Sequence, residues 1–427
     1  MTTRPLFLRP GVRPMMLSGI VGRLPMGMMG LALTLLIVGQ AGSYALAGAV
    51  SATMTISLAI MAPYNARLTD RIGQGRAIPI LLSVNVTSFL LLAAAVGAGW
   101  PVPMWFGFAA LAGMSMPGLG AMTRARWVGI AENGNERSSA FAYESVADEL
   151  AFVVGPVVAS ALAISLAPVA PVLVGAAALM IGGLTLAVQR RTAPEPGRNS
   201  GRPRAKGHAI GFRGMATMFA VMLTMGAMFG ALHVSNVAFA QAYAPSATGL
   251  LLATVSLGSL VSGVILGLTR RRWSLTNQVR LGMVTLVLAL APLPFISWLP
   301  LFTLVSFLLG LNFSVIMIGS FGLAERMTPR ARITEGLALM GSGLSLGTAA
   351  GVWLAGIVID AAGPHPAFAV AAGFATAASL LFWLRSSTVA DIERGADAAE
   401  QSVAPIPASE QAGDERDRPH QEALALA

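Results

Sequence analysis

The chain contains no cysteine, a single lysine (Lys206), and only four histidines among 427 residues. Without cysteine, disulfides, thiolate metal ligands and thiol nucleophiles are excluded. No two histidines stand at a metal-ligand spacing, so no metal and no other cofactor is expected. Charge is scarce too: 11% of residues are Asp, Glu, Lys or Arg, against about 25% in an ordinary soluble domain. That leaves too little polar surface to cover a globule in water. A Walker loop and a nucleophile–base constellation are also lacking, which argues against ATP use and against an enzyme.

What the chain has in excess is apolar residues, 55% of the total, with a mean hydropathy of +0.71. A spanning helix needs about 20 mostly apolar residues. Such runs lie near 17–39, 44–65, 77–98, 104–123, 141–165 and 169–189, then near 214–238, 247–269, 279–297, 299–321, 335–359 and 365–385. The expected fold is an all-α membrane protein with twelve transmembrane helices in two six-helix halves, 17–189 and 214–385. A tail of residues 1–16, a basic linker over 190–213 and a polar, acidic tail over 386–427 flank them. The last is expected to be disordered. Arg4, Arg9 and Arg13 before the first apolar run resemble a signal peptide. No cleavage site follows, however, and many more spans do, so the run is expected to be retained as the first helix.

The net charge of +9 sits between the apolar runs. It therefore reads as topology-setting charge, and no nucleic-acid partner is expected. With the N-terminus inside, every Arg and Lys but one falls in an inside segment: Arg67, Arg71 and Arg76; Arg124, Arg126 and Arg137; the linker; Arg270 to Arg280; Arg326 to Arg332; and both tails. The outside loops near 41–43, 97–103 and 240–247 hold none. Miscounting the spans by one would scramble this alternation. Both termini are thus expected in the cytoplasm, and the Ala-, Gly- and Arg-rich composition is that of a bacterial inner-membrane protein. Leu68-Thr69-Asp70-Arg71 after the second span and Leu268-Thr269-Arg270-Arg271 after the eighth hint that the halves are repeats.

Between spans two and three lies Ala66-Arg67-Leu68-Thr69-Asp70-Arg71-Ile72-Gly73-Gln74-Gly75-Arg76. It is similar to the signature of the major facilitator superfamily, a small residue followed by Asp-Arg-x-Gly and basic residues. Ala66 stands where Gly is usual and Gln74-Gly75 where basic residues are usual. Gly155-Pro156 in span five is similar to the Gly-Pro kink of proton-coupled drug antiporters in that superfamily, although Ala159 and Ala161 follow where glycines would. The resemblance covers about 15–386. It implies two halves rocking about a central site that the first and fifth helices border. In physical terms, Gly73 suits a tight turn, and Asp70 can pair with Arg or face a helix N-terminus across the gap between halves, closing the inside. Asp70, Arg71 and Gly73 are therefore candidate gate residues. The plainer reading leaves Arg67, Arg71 and Arg76 setting topology and touching lipid headgroups.

Ionisable residues inside spans carry most information, since each costs about 2.5–3.5 kcal/mol to insert. Arg23, just before Pro25, is the one basic residue outside the inside segments. Span five holds Glu144 and Asp148, four apart on one face, and Glu149, turned by about 100°. Arg23 is expected to pair with a carboxylate of span five, Asp148 or Glu149 in first place, and one of these two could exchange a proton in the transport cycle. The alternative is that Arg23 snorkels to the surface and the acids are solvated. His233 and Asn236, three apart in span seven, and Asn312 in span ten are candidate substrate-facing groups; a bond to a neighbouring helix would account for the His equally well. Glu335 near Arg330 and Arg332 reads as a charge at a helix start. Asp360 ends span eleven and is expected to be solvated.

Together these readings point to a secondary active transporter, a monomer in the bilayer, that exports a small, partly apolar compound such as a drug or secondary metabolite against a proton flux. A sugar or nutrient carrier is the alternative within transport. A non-transporting receptor or assembly factor on the same scaffold is the alternative of another class, disfavoured by the intact Asp70-Arg71 and the buried charges.

Overall fold

The computed structural model describes residues 6–196, 212–268, 274–328 and 333–402. They form α1 (Val12–Ala41), α2 (Tyr44–Ile72), α3 (Gln74–Gly97), α4 (Val102–Met114), α5 (Leu119–Ile130), α6 (Gly134–Ser165) and α7 (Ala170–Val188), then α8 (Phe212–Tyr243), α9 (Thr248–Leu268), α10 (Leu275–Leu290), α11 (Leu299–Met327), α12 (Ile333–Ala362) and α13 (Pro364–Ser402). Among the described residues twelve segments are long and apolar enough to cross a membrane, α4 and α5 together making the fourth. The single helix expected over 104–123 is instead broken at Pro117 and continues to Ile130. Proline lacks the N–H that would bond back and disfavours a helical conformation in the residue before it.

The tail differs from expectation as well. The segment expected to be disordered from Ser386 stays helical as far as Ser402, because Val389 and Glu393 are buried against the body of the protein. Linker residues 197–211, Thr269, Arg270 and Arg271 of the second tetrapeptide, Arg330, Arg332 and everything after 402 lie outside the described residues, as do the side chains of Leu268 and Glu335.

Each half is built around one helix. α1 packs on α6 and α7, and its counterpart α8 on α12 and α13; α3 packs on α4 and α7 as α10 does on α11 and α13; α2 packs on α4 as α9 does on α11. The second half thus repeats the packing of the first. Small residues make the central crossings close. A Cβ on Gly155 would lie 2.7 Å from the Gly27 carbonyl carbon, and one on Gly347 would lie 1.9 Å from the Leu223 oxygen. In lipid, where apolar surface alone gives helices little reason to associate, such backbone approach is a main source of packing energy.

The halves meet along two seams, α2 with α12 and α6 with α9. Their close contacts lie toward the arginine-poor end: Gly48 on Val352 and Trp353, Gly356 on Tyr44 and Ala45, and Gly249 on Pro156, Val157 and Ser160. Asp360 is not merely solvated there. It accepts hydrogen bonds from the Ser43 hydroxyl and from the Tyr44 and Ala45 N–H groups, because the start of α2 offers unpaired donors at just that point. Toward the arginine-rich end the seam loosens. No residue from Tyr44 to Thr55 is exposed, whereas Ala62, Pro63, Tyr64, Ala66, Arg67, Asp70 and Arg71 all are.

Candidate functional site

Arg23 lies about three turns into α1 and is 1% exposed. Its guanidinium is bound by Glu144, itself 2% exposed, and by the Thr123 hydroxyl, while its Nε lies 3.4 Å from Asp148 Oδ1. Three helices supply these groups: α1 the arginine, α5 the threonine, α6 the acids. Glu144 is further held by the Trp127 indole N–H at 2.7 Å and the Thr123 hydroxyl at 2.6 Å. Asp148 takes a second cation, Arg124, at 2.6 Å. Two cations and two anions cancel, which is what a low-dielectric site requires of charges kept ionised.

Arg23 is therefore paired and does not snorkel, but its principal partner is Glu144. The expectation of Asp148 or Glu149 in first place is corrected: Asp148 is shared with Arg124, and Glu149 stands outside the cluster. Glu144 and Asp148 do share a face as their spacing predicts. Glu149, turned away, is half-buried and makes no hydrogen bond or ion pair among the described residues. It lies seven residues before Pro156 and eleven before Ser160, spacings that return to nearly the same helical face. That is the face Gly249 of α9 packs against. Glu149 is thus on the side of α6 turned to the other half, about two turns from the seam toward the looser end.

Gly155 and Pro156 sit where α6 crosses α1 on one side and α9 on the other. α6 remains one helix through Pro156, although the proline supplies no N–H to the preceding turn. On the opposing half, the His233 ring faces Gly30 of α1, where a Cβ would lie 3.5 Å from Nε2. His233 Nε2 and the Asn236 carbonyl oxygen are buried with no hydrogen-bond partner. Around them, Met28, Leu31, Ala159, Val237 and Leu252 from α1, α6, α8 and α9 form one apolar cluster bridging the halves. Asn312 is not brought to this group. It accepts from Thr285 at 2.5 Å, on the contact of α10 with α11 inside the second half.

Asp70 and Arg71 are exposed, and among the described residues neither is held in an ion pair. Gly73 takes φ 81° at the end of α2, where its N–H bonds to the Thr69 carbonyl; the tight turn there needs glycine.

Arg126 carries a role that the sequence conceals. It is fully buried and, among the described residues, is not paired with a carboxylate. Gln74 Oε1 accepts from its Nε at 2.7 Å, the Leu186 and Gln189 carbonyls at the end of α7 accept at 2.8 and 2.9 Å, and Thr192 at 2.8 Å. It thus caps the negative end of α7. Arg326 occupies the corresponding place in the second half, 3.5 Å from Glu393, whose carboxylate accepts from the Leu275 and Thr276 N–H groups at 2.6 and 3.1 Å.

A family model for the Major Facilitator Superfamily matches the chain over residues 15–299 and 214–414. No curated protein matched it in a sequence search. Among solved structures, a mutant of the nucleoside transporter NupG superposes with a TM-score of 0.72 at 14% identity, covering 87% of this chain and 98% of its own. The POT family transporter PepTSo gives 0.69 at 11%, covering 89% and 98%. The human organic anion transporter MFSD10 gives 0.58 at 16%, covering 89% and 100%. These likenesses establish the fold. With the family match over most of the length, the chain belongs to the major facilitator superfamily of membrane transporters.

Proposed function

We propose that the chain is a proton-coupled exporter of a small, partly apolar compound, working by alternating access with both termini in the cytoplasm. The observation that carries this reading is Glu149. It is a half-buried carboxylate without a partner, on the face of α6 turned to the other half, where a proton can be taken up and released as the cleft opens to either side. Asp148, tied to two arginines, is poorly suited to that task. The cluster of Arg23, Glu144, Asp148 and Arg124 fixes α1, α5 and α6 as one body, so that the half can rock as a unit. The cargo class follows from the bridging cluster of Met28, Leu31, Ala159, Val237 and Leu252, with His233 and Asn236 as the polar groups left to orient a ligand. Binding sites for small molecules commonly combine apolar walls with a few such groups.

The test is substrate-dependent proton flux in proteoliposomes, across a panel of apolar cations, neutral aromatics, nucleosides and peptides. Glu149→Gln is expected to abolish substrate-driven proton movement and leave counterflow exchange of substrate within a few-fold of wild type. Asp148→Asn is expected to keep coupling. Unchanged pH dependence in both variants sinks the proton-coupling reading, and flux with nucleosides or peptides alone sinks the cargo class.

A further inference from the structure

Asp360 lies near the end of α12 in the second half, yet among the described residues its three hydrogen bonds all go to the first half. Its carboxylate accepts from Ser43 Oγ at 2.7 Å, from the Tyr44 N–H at 2.7 Å and from the Ala45 N–H at 2.9 Å. Ser43 in turn accepts from the Leu46 N–H at 3.1 Å. Serine and aspartate together thus satisfy three of the four backbone donors that every helix leaves unpaired at its start. We propose that Asp360 is the latch of the arginine-poor end, holding the cleft shut there and released each time the halves rock the other way. The proposal rests on the alternating-access reading above.

The location gives the contact this role. The ion pairs of Arg9, Arg23, Arg124 and Arg326 each join groups of a single half, so they survive rocking intact. The bonds of Asp360 span the halves and must break when this end opens. A carboxylate on a helix N-terminus benefits from both charge-assisted bonds and the helix dipole. Because the site is exposed, water replaces those bonds on opening, which keeps the latch reversible. Just below it, Gly48 and Gly356 let the α2 and α12 backbones approach to van der Waals contact, so closure brings Asp360 directly onto its donors. The second seam, Gly249 against Pro156, Val157 and Ser160, has no charged group at its close contact.

The absence of cysteine makes the native chain a ready background for paired spin labels. One pair, Ala41→Cys with Ala362→Cys, reports the latched end. Another, Ala66→Cys with Leu339→Cys, reports the opposite end. All four positions are exposed. In lipid nanodiscs, Asp360→Asn and Asp360→Ala are each expected to raise the population with a long Ala41–Ala362 distance by about tenfold, the loss of bonds to a charged acceptor. The Ala66–Leu339 distance is expected to shorten in the same molecules. Ser43→Ala, which acts from the other half, is expected to shift the same populations by a smaller factor and to add little on top of Asp360→Ala. Wild-type distance distributions in both Asp360 variants overturn the latch. If one variant fails to fold, Ser43→Ala decides in its place. A wild type whose two ends never move, whatever the pH or substrate, overturns the alternating-access reading and the release of the latch with it, whereas opening confined to the Asp360 variants would show only that Asp360 holds this end shut.

Discussion

Arg23 and Glu144 are both almost wholly buried, and each is the other's compensation. Removing one leaves an uncompensated charge in a site with little water, at a cost of about 3–5 kcal/mol. Arg23→Met and Glu144→Gln are therefore each expected to lower the thermal unfolding temperature markedly in detergent or nanodiscs. Arg23→Met combined with Glu144→Leu is expected to recover part of that loss, because two apolar side chains need no partner. A double variant less stable than either single one would mean that the charges do more than compensate each other. Arg126 should behave differently. Its donors are spread over a side-chain amide, a hydroxyl and two helix-terminal carbonyls, a fork that an ammonium group does not match. Arg126→Lys is expected to destabilise nearly as much as Arg126→Met; a lysine variant as stable as wild type would show that charge alone suffices. The contrast explains what the sequence disclosed. Arg23 stood out because it broke the positive-inside pattern, and its pairing with span five was legible. Which of three acids met it was not, since helical spacing fixes a face but not the level at which a neighbouring helix crosses. Arg126 was hidden among the arginines expected at that end of the spans.

At the level of elements, α13 is the clearest departure from the sequence reading. A polar stretch rich in Ala and Glu has the composition of a disordered tail and equally that of a good helix former. One residue decides the outcome here. Glu393 places its carboxylate on the start of α10, where it accepts from two backbone N–H groups and the Thr276 hydroxyl. Glu393→Ala leaves those buried donors without an acceptor, at a cost of about 1–3 kcal/mol. It is expected to lower thermal stability about as much as truncation after Ser386. Truncation without any loss would show the extension to be dispensable. The number and order of spans were readable from hydropathy because lipid demands long apolar runs. The break at Pro117 and the extension past Ser386 were not, because local packing sets them.

For the whole molecule, the two ends stand in opposite states. The arginine-poor end is sealed by both seams and by Asp360, while Asp70 and Arg71 at the other end are exposed and, among the described residues, unpaired. A gate made of these residues acts in the alternate state, when the arginine-rich ends close on each other. Asp70→Asn should therefore leave the present arrangement untouched and penalise only its counterpart. The expected outcome is transport slowed by about tenfold or more, with thermal stability and the Ala41–Ala362 distance close to wild type and the short Ala66–Leu339 population depleted. Gly249→Val tests the opposite bias. A Cβ there would lie 2.4 Å from the Pro156 carbonyl oxygen, so the α6–α9 seam cannot close, and the long Ala41–Ala362 population should dominate. Because the two substitutions push one equilibrium in opposite directions, the pair is more telling than either alone. Two states of one rocking body require Asp70→Asn to deplete, and Gly249→Val to enrich, the same form. If both variants slow transport and shift the Ala66–Leu339 distance the same way, the ends are not coupled and each substitution acts only locally.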